Sequence, residues 1–283
     1  MADPLTLYCA GYGYSAAALA ARLVAQGWRV KGTTSKDAKR AEMAALGVEA
    51  VTWPPRAEDL TDVTHLLVSA GPNEQGDPTL GAAKDAIVEA NLDWVGYLST
   101  TGVYGDHGGG WVDEETPLTP STRRGELRVR AEAEWRSMDL PLHIFRLAGI
   151  YGPGRGPFSK VRNGTARRIE KPGQVFSRIH RDDIASALAA SIAKPNPVRA
   201  YNLCDDEAAP PQDVIAYAAE LLGVAPPPLT PIDQVEMSPM AASFYAESKR
   251  VSNQRLRDEL GVDLKHPTYR EGLKATLAEE TGR

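Results

Sequence analysis

Short apolar segments alternate with amphipathic segments along the first half of the chain. Leu5 to Ala10 is mostly apolar and ends at a glycine turn, after which apolar residues recur at helical spacing up to Gly27. The same order continues, with strands predicted at 29–33, 48–53, 65–69, 94–99 and 142–147 and helices at 36–46, 80–90 and 126–136. Because strands that alternate with helices are joined by crossover connections, the pattern predicts an α/β fold, a doubly wound parallel sheet covered on both faces.

The pattern loosens in the second half of the chain. Residues 106–120 are rich in Gly, Asp, Glu, Thr and Pro and predict a surface loop, while 182–193 and 212–222 predict helices and 200–203 a short strand. We therefore predict a larger sheet region at 1–150 and a smaller C-terminal α/β region at 151–283, interleaved with the first.

Composition and charge exclude several classes of protein. The 283 residues are 42% hydrophobic and 24% charged, and the net charge of −5 offers no basic surface for nucleic acid. Cys9 and Cys204 are too few for a disulfide framework. The start Met1-Ala2-Asp3-Pro4 has no basic leader, and no run of about 18 apolar residues occurs, so we expect a cytoplasmic protein without membrane contact.

The first strand and helix are joined by the motif Gly11-x-Gly13-x-x-Ala16. Small residues at such a turn let the backbone approach a pyrophosphate, to which the helix N-terminus offers free N–H groups. A glycine-rich turn without a ligand is the alternative. The context predicts a Rossmann-like dinucleotide-binding region at 1–150, with candidate cofactor residues in this turn and after the fourth strand, namely Gly11, Gly13, Tyr14, Ser15, Ala16, Ala70 and Gly71.

The end of the second strand indicates which dinucleotide is preferred. An acidic residue about 20 residues past the glycines would accept a hydrogen bond from the ribose 2′-OH of NAD. This chain has Thr34, Ser35 and Lys36 there, whose hydroxyls and cation suit a 2′-phosphate, while Asp37 is expected to begin a helix. We predict NADP, with NAD as the alternative.

Three later segments resemble the NAD-dependent epimerase/dehydratase family of the extended short-chain dehydrogenases/reductases. They are Tyr97-Leu-Ser-Thr-Thr-Gly-Val-Tyr-Gly105, Arg146-Leu-Ala-Gly-Ile-Tyr-Gly-Pro-Gly154 and Arg178-Ile-His-Arg-Asp-Asp-Ile-Ala185. With the later Tyr201-Asn-Leu203 and Lys249-Arg-Val-Ser-Asn253, the resemblance spans nearly the whole chain. It implies a catalytic hydroxyl at Thr100, a loop along the nicotinamide at Tyr151, and substrate-side positions at Arg178 and His180.

The chain departs from the family at its Tyr-x-x-x-Lys pair. Four residues past Pro120, where the family's tyrosine is expected, stands Arg124, and the lysine position is Arg128. A guanidinium keeps its proton under working conditions, so Arg124 cannot replace the phenol as an acid or base. Arg128 can still hold positive charge near the nicotinamide ribose, and Thr100 can still donate to a substrate oxygen.

Other side chains could supply the missing proton transfer or bind the substrate. Tyr104, Tyr151 and His180 are candidates as proton carriers, with packing and hydrogen bonding as the alternative. Guanidinium groups bind carboxylate or phosphate through paired hydrogen bonds, so an anionic substrate would suit a cleft lined by arginines. The candidate arginines, each of which could instead be a solvated surface residue, are Arg124, Arg155, Arg162, Arg178 and Arg181.

Two functions therefore stay open. The first is oxidoreductase, epimerase or dehydratase chemistry on a small polar, sugar-like or anionic substrate, with Thr100, Arg128 and Tyr104 as catalytic candidates and Arg124, Tyr151, Arg178 and His180 as substrate contacts. The second is a non-catalytic NADP-binding sensor or scaffold. The resemblance implies a homodimer through the helix at 126–136. The histidines show no paired ligand spacing, so no metal is expected.

Overall fold

The computed structural model describes residues 5–282, which form a seven-stranded, fully parallel sheet with packed layers on both faces. The strands are β1 (Thr6–Ala10), β2 (Arg29–Thr34), β3 (Val48–Thr52), β4 (His65–Val68), β5 (Trp94–Thr100), β6 (Trp111–Val112), β7 (Leu142–Leu147), β8 (Gly149–Tyr151), β9 (Arg168–Glu170), β10 (Arg178–His180), β11 (Arg199–Leu203), β12 (Leu229–Pro231) and β13 (Arg250–Val251). The α-helices are α1 (Tyr14–Val24), α2 (Asp37–Ala45), α3 (Pro78–Glu89), α4 (Arg123–Arg136), α5 (Phe158–Arg162), α6 (Arg181–Ala193), α7 (Pro211–Leu221), α8 (Pro239–Tyr245), α9 (Gln254–Leu260) and α10 (Tyr269–Thr281).

The central strand β1 shows why both faces of the sheet are covered. Successive side chains of a strand point to opposite faces. Leu7 and Cys9 pack into the core shared with α1 and α6, whereas Tyr8 and Ala10 pack into the core shared with α3 and α4. All four are fully buried, so the strand reads as a continuous apolar run, as expected for a parallel sheet with two covered faces.

The second half of the chain contributes to both parts of the molecule. Strand β11 is the edge strand of the main sheet, beside β7, although it lies in the region 151–283. The segment 106–120, predicted as a loop, contains β6, which pairs in parallel with β13 far along the chain. A strand of two residues carries too little periodicity to be recognised in the sequence.

The order of the strands places a crevice beside β1. The sheet runs β11-β7-β5-β4-β1-β2-β3, so the chain changes direction across the sheet between β1 and β4. Ligands bind at such switch points, outside the carboxyl ends of the strands. Gly11 has a φ of +90°, and a Cβ there would lie 2.8 Å from the backbone nitrogen of Ala70, so a side chain at this position would block the crevice.

Among residues 5–282, no helix combines the length and the apolar composition needed to cross a membrane.

Candidate active site

A cleft of about 930 Å³ opens at the carboxyl ends of the strands. The glycine turn and the residues after β4 line one part of it, and the end of β5 with the start of α4 lines another. The remaining walls come from the segments after β7, from β10, and from residues 243–251. Both regions of the chain therefore contribute to a single cleft.

The start of helix α1 faces the cleft with free backbone donors. Gly13, Tyr14 and Ser15 line the cleft, and no side chain caps the helix at Gly13. The first backbone bond of the helix runs from the Ala17 N–H to the Gly13 oxygen, so the N–H groups of the first turn lack partners within the helix. An uncapped helix N-terminus beside a glycine turn fits the pyrophosphate of a dinucleotide.

The end of β2 holds the residues expected to select the cofactor. The Thr34 hydroxyl accepts a hydrogen bond from the Lys36 backbone N–H at 3.2 Å, and the Lys36 side chain is exposed. Asp37 is the first residue of α2, as the sequence indicated. Lys39, which no sequence motif indicated, donates a hydrogen bond to the carbonyl oxygen of Tyr12, the residue between the two glycines. Its ammonium lies 5.3 Å from the centre of the Tyr12 ring.

Thr100 stands at the end of β5 with its hydroxyl in the cleft. Its oxygen accepts a hydrogen bond from the Gly102 N–H at 3.1 Å and so caps the 3-10 turn Thr101–Tyr104. A hydroxyl that accepts one bond keeps its own proton available for donation. The geometry therefore suits the donation to a substrate oxygen that the resemblance implied.

Helix α4 begins against that turn because Gly125 has no side chain. A Cβ at residue 125 would lie 2.8 Å from the carbonyl oxygen of Gly102. The close approach brings Arg124 and Arg128 into the lining of the same cleft as Thr100. Arg124 is exposed, and its guanidinium carbon lies 5.3 Å from the centre of the Phe244 ring.

Arg128 is fixed at the inner end of the cleft. Its guanidinium donates to the Leu98 carbonyl oxygen and to the Tyr97 hydroxyl, the latter at 3.3 Å. A Cβ at Gly71 would lie 3.0 Å from one of its nitrogens, so the guanidinium touches the segment after β4. Arg128 thus brings a positive charge to the point where β4 and β5 end.

Tyr104 requires a correction, because the structure places it in the core. Its side chain is fully buried, and its hydroxyl donates to the Asn202 side-chain oxygen at 2.7 Å and accepts from Arg146 at 3.0 Å. Burial raises the pKa of Tyr104 to about 12. A phenol with both bonds satisfied inside the protein stabilises the fold and is unsuited to proton transfer in the cleft.

His180 also requires a correction, since it is buried and absent from the residues that line the cleft. Its Nδ1 accepts from the Asp182 backbone N–H at 3.2 Å, which caps α6, and its Nε2 lies 3.3 Å from the Thr276 hydroxyl. Burial and the neighbouring His266 lower the pKa of His180 to about 4, so the ring is neutral. We assign His180 a structural role.

The fold brings His180, Asp182 and His266 close enough together to hold a metal ion. Their spacing in the sequence does not indicate this proximity. The hydrogen bonds argue against that use. In the neutral ring, Nδ1 of His180 accepts the capping bond, so the proton lies on Nε2 and neither nitrogen offers a free lone pair. We assign no metal to this group.

Tyr151 and Arg178 do line the cleft, as the resemblance implied. The Tyr151 hydroxyl lies 3.4 Å from the Thr268 carbonyl oxygen, and burial raises its pKa. Arg178 donates to the carbonyl oxygens of Phe176 and Ala209 at 2.7 and 3.0 Å, and burial lowers its pKa. Tyr151 therefore resists ionisation, whereas Arg178 presents charge to the cleft from a fixed position.

The arginines predicted for the cleft divide into two groups. Arg162 and Arg181 pair with Glu280 and Glu279 at 2.8 and 3.1 Å and do not line the cleft. The arginines in its lining are Arg124, Arg128, Arg155 and Arg178, and none of them has a carboxylate at ion-pair distance within residues 5–282. The one carboxylate in the described lining is that of Glu247, which is paired with Lys249.

No protein-family model matches the chain. A conserved protein of unknown function from Silicibacter pomeroyi DSS is 56% identical and has a TM-score of 0.94, covering 97% of this chain and 98% of its own. Protein YeeZ of Escherichia coli K12 is 29% identical over 277 residues, which is 91% of this chain and 94% of that protein.

A Methylobacillus flagellatus protein assigned as an NAD-dependent epimerase/dehydratase matches over 99% of this chain and 100% of its own, with 27% identity and a TM-score of 0.72. Solved structures similar to this chain therefore include proteins of the NAD-dependent epimerase/dehydratase family. Human epimerase family protein SDR39U1, solved with NADPH, shares the fold at 21% identity and a TM-score of 0.77, over 96% of this chain and 98% of its own. At the position where the pattern of that family has a tyrosine, this chain carries Arg124.

Proposed function

We propose that the protein binds NADP(H) and catalyses hydride chemistry on a small anionic substrate. One observation carries this proposal. Four arginines that have no carboxylate partner within residues 5–282 line a cleft that begins at an uncapped helix N-terminus, in a protein whose net charge is −5. Because no carboxylate of the described residues pairs with these guanidinium groups, the cleft suits a ligand that carries phosphate or carboxylate groups.

The cofactor would lie across the glycine turn. Gly11, Gly13 and the N–H groups of Tyr14, Ser15 and Ala16 would hold the pyrophosphate, with Ala70 and Gly71 beside it. At the adenosine end, Thr34, Ser35 and Lys36 would hold a 2′-phosphate, and the position of Lys39 adds a second cation there. The NADPH bound to the human relative supports the same choice.

When bound, the reduced dinucleotide supplies a hydride. Thr100 would donate a hydrogen bond to the substrate oxygen, and Arg128 would hold positive charge beside the nicotinamide ribose. Arg124, Arg155 and Arg178 would bind the anionic groups of the substrate, with Tyr151 packed beside them. These side chains orient the substrate and stabilise negative charge that develops on its oxygen.

A non-catalytic sensor or scaffold that binds NADP is the second candidate, favoured by Arg124 in the place of the tyrosine. Single-turnover absorbance of bound NADPH, combined with product analysis, separates the two functions over a panel of sugar phosphates, nucleotide sugars and hydroxy acids. Product analysis is needed because epimerisation recycles the cofactor. Turnover of any panel member supports the enzyme, and tight NADPH binding without any product supports the sensor.

Two substitutions sharpen this test. Thr100→Val removes the cleft hydroxyl at nearly constant volume, so we expect turnover to fall by about a hundredfold while the affinity for NADPH stays unchanged. Arg124→Tyr restores the family pattern at that position. A gain of turnover in Arg124→Tyr would show that the cleft lacks a proton carrier there, whereas undiminished turnover in Thr100→Val would contradict the proposed role of Thr100.

The assembly through helix α4 remains a prediction. Light scattering of the full chain would report a dimer, which we expect to dissociate when exposed charges on α4 are reversed.

A further inference from the structure

Part of the cleft wall comes from residues 243–251, which lie far along the chain from helix α4. This segment contacts the surroundings of residue 124 at three points. The Phe244 ring lies over Arg124, Glu247 accepts a hydrogen bond from the Ser121 hydroxyl at 2.5 Å, and Lys249 donates to the Gly105 carbonyl oxygen at 2.7 Å. The segment therefore covers the start of α4 and the turn that follows Thr100.

Lys249 lies in this wall with its ammonium group nearly buried. The residue is 9% exposed and lines the cleft. Besides the Gly105 oxygen, its Nζ donates to Glu247 Oε2 at 2.6 Å. An ammonium has three N–H donors, so one remains for a substrate atom.

We propose that Lys249 is the proton carrier of this cleft and that Glu247 and Ser121 connect its ammonium group to solvent. The inference rests on the proposed function, because it concerns the same reaction. Ser121 is exposed, and the chain of hydrogen bonds from its hydroxyl through the Glu247 carboxylate to Lys249 Nζ crosses the cleft wall.

The proposed step balances for a carbonyl substrate and the reduced dinucleotide. Bound NADPH would supply a hydride, with its two electrons, to the carbonyl carbon, and the Lys249 ammonium would give one proton to the carbonyl oxygen. The products would be the alcohol and NADP+, and the neutral amine of Lys249 would regain its proton from solvent through Glu247. In the direction of oxidation, the neutral amine accepts the proton of the alcohol.

The other cleft residues suit this step less well. A guanidinium does not release its proton, which excludes Arg124 and Arg128. The Tyr14 hydroxyl donates to the Pro153 carbonyl oxygen at 2.9 Å, and burial raises its pKa. Tyr151 is similarly placed against a carbonyl oxygen. An amine, by contrast, is a group that catalytic sites use as a proton donor or acceptor.

Substitution of Lys249 tests the step once the panel has identified a substrate. We expect Lys249→Met to lower single-turnover hydride transfer by about 10²- to 10⁴-fold. Lys249→Arg should lower the rate of hydride transfer by as much, because arginine keeps the positive charge but does not release its proton. The matched control is Lys84→Met, on the exposed face of α3, which should turn over like the wild type. All three variants should bind NADPH as the wild type does.

Chemical rescue distinguishes proton transfer from packing. In Lys249→Ala, added primary amines should restore turnover, more strongly as the amine becomes more basic. Wild-type turnover in Lys249→Arg would overturn the proposal. Equal losses in Lys249→Met and Lys249→Arg without rescue of Lys249→Ala would assign Lys249 a structural role and would overturn it too.

A readout that needs no turnover uses pyridoxal phosphate, an anionic aldehyde that forms a Schiff base with lysine amines. After borohydride reduction, peptide mass spectrometry should find the label on Lys249. Labelling of Lys84 without Lys249 would mean that the amine does not face the cleft, and it would overturn the inference while leaving the proposed function intact. Failure of every panel substrate would contradict the enzymatic function, whether or not Lys249 is labelled.

Discussion

The protein uses arginine in two contrasting environments. Arg146 is 3% exposed, and its guanidinium is bound within the protein. It donates one hydrogen bond to the Glu132 carboxylate at 2.8 Å and another to the Tyr104 hydroxyl oxygen at 3.0 Å. Among the described residues, Arg124 and Arg155 in the cleft make no side-chain hydrogen bond or ion pair, and each guanidinium lies near an aromatic ring. Burial of a charge requires a partner within the protein, whereas an unpaired cation on a cleft wall is available to a ligand. The difference separates residues that hold the fold from residues that we propose to hold ligands.

The largest effect should come from breaking the buried pair. Arg146→Leu leaves the Glu132 carboxylate buried without its partner, so we expect the free energy of unfolding to fall by about 3–5 kcal/mol. Urea denaturation monitored by circular dichroism measures this change. Arg155→Leu, in the cleft, is the matched control and should change stability little. A loss below about 1 kcal/mol in Arg146→Leu would contradict the distinction between the two environments.

A second prediction concerns an exposed cation outside the core. Lys36 has no carboxylate at ion-pair distance in the part of the chain described, and we propose that it contacts the 2′-phosphate. Lys36→Glu should weaken NADPH binding by about 10- to 100-fold, since a hydrogen bond between charged groups contributes about 1.5–3 kcal/mol. Fluorescence titration should show no such loss for NADH. An equal loss for both dinucleotides would mean that Lys36 does not read the 2′-phosphate.

The pH dependence of stability tests whether His180 is buried as a neutral ring. Burial lowers the pKa of His180 to about 4, below the value near 6.5 of an unfolded histidine. The unfolded state then binds more protons between these values, so stability is complete above about pH 6.5 and falls as the pH drops towards 4.

For His180 alone, the expected loss from pH 7 to pH 5 is about 2 kcal/mol. Thermal unfolding across this range measures it, and His180→Asn should show a shallower dependence on pH. Identical slopes for the wild type and the variant would show that His180 is not the group that titrates.

The smallest change in stability should come from the cleft. Arg124→Gln removes an exposed cation, so the free energy of unfolding should change by less than about 0.5 kcal/mol. Its affinity for an anionic substrate should nevertheless fall, which calorimetry of the panel ligands can measure. A marked loss of stability with unchanged ligand affinity would place Arg124 with Arg146 among the structural arginines.

The sequence predicted those features that depend on local pattern. The glycine turn, helix α1 and β2 follow from residues close together in the chain, as does the start of α2 at Asp37. Tyr104 and His180 were misplaced because nearness to a cleft segment does not determine which way a side chain points. The pairing of Lys249 with Gly105 spans 144 residues, and no local periodicity reveals such a contact.

We propose above all that the cleft holds NADP(H) against the start of α1. Isothermal titration calorimetry of the full chain with NADPH, compared with a Gly13→Val variant whose side chain would enter the cleft, tests it most directly. We expect saturable binding of one dinucleotide per chain by the wild type and a loss of binding in the variant. Absence of binding heat for NADPH and NADH in the wild type, or equal affinity in the variant, would contradict it.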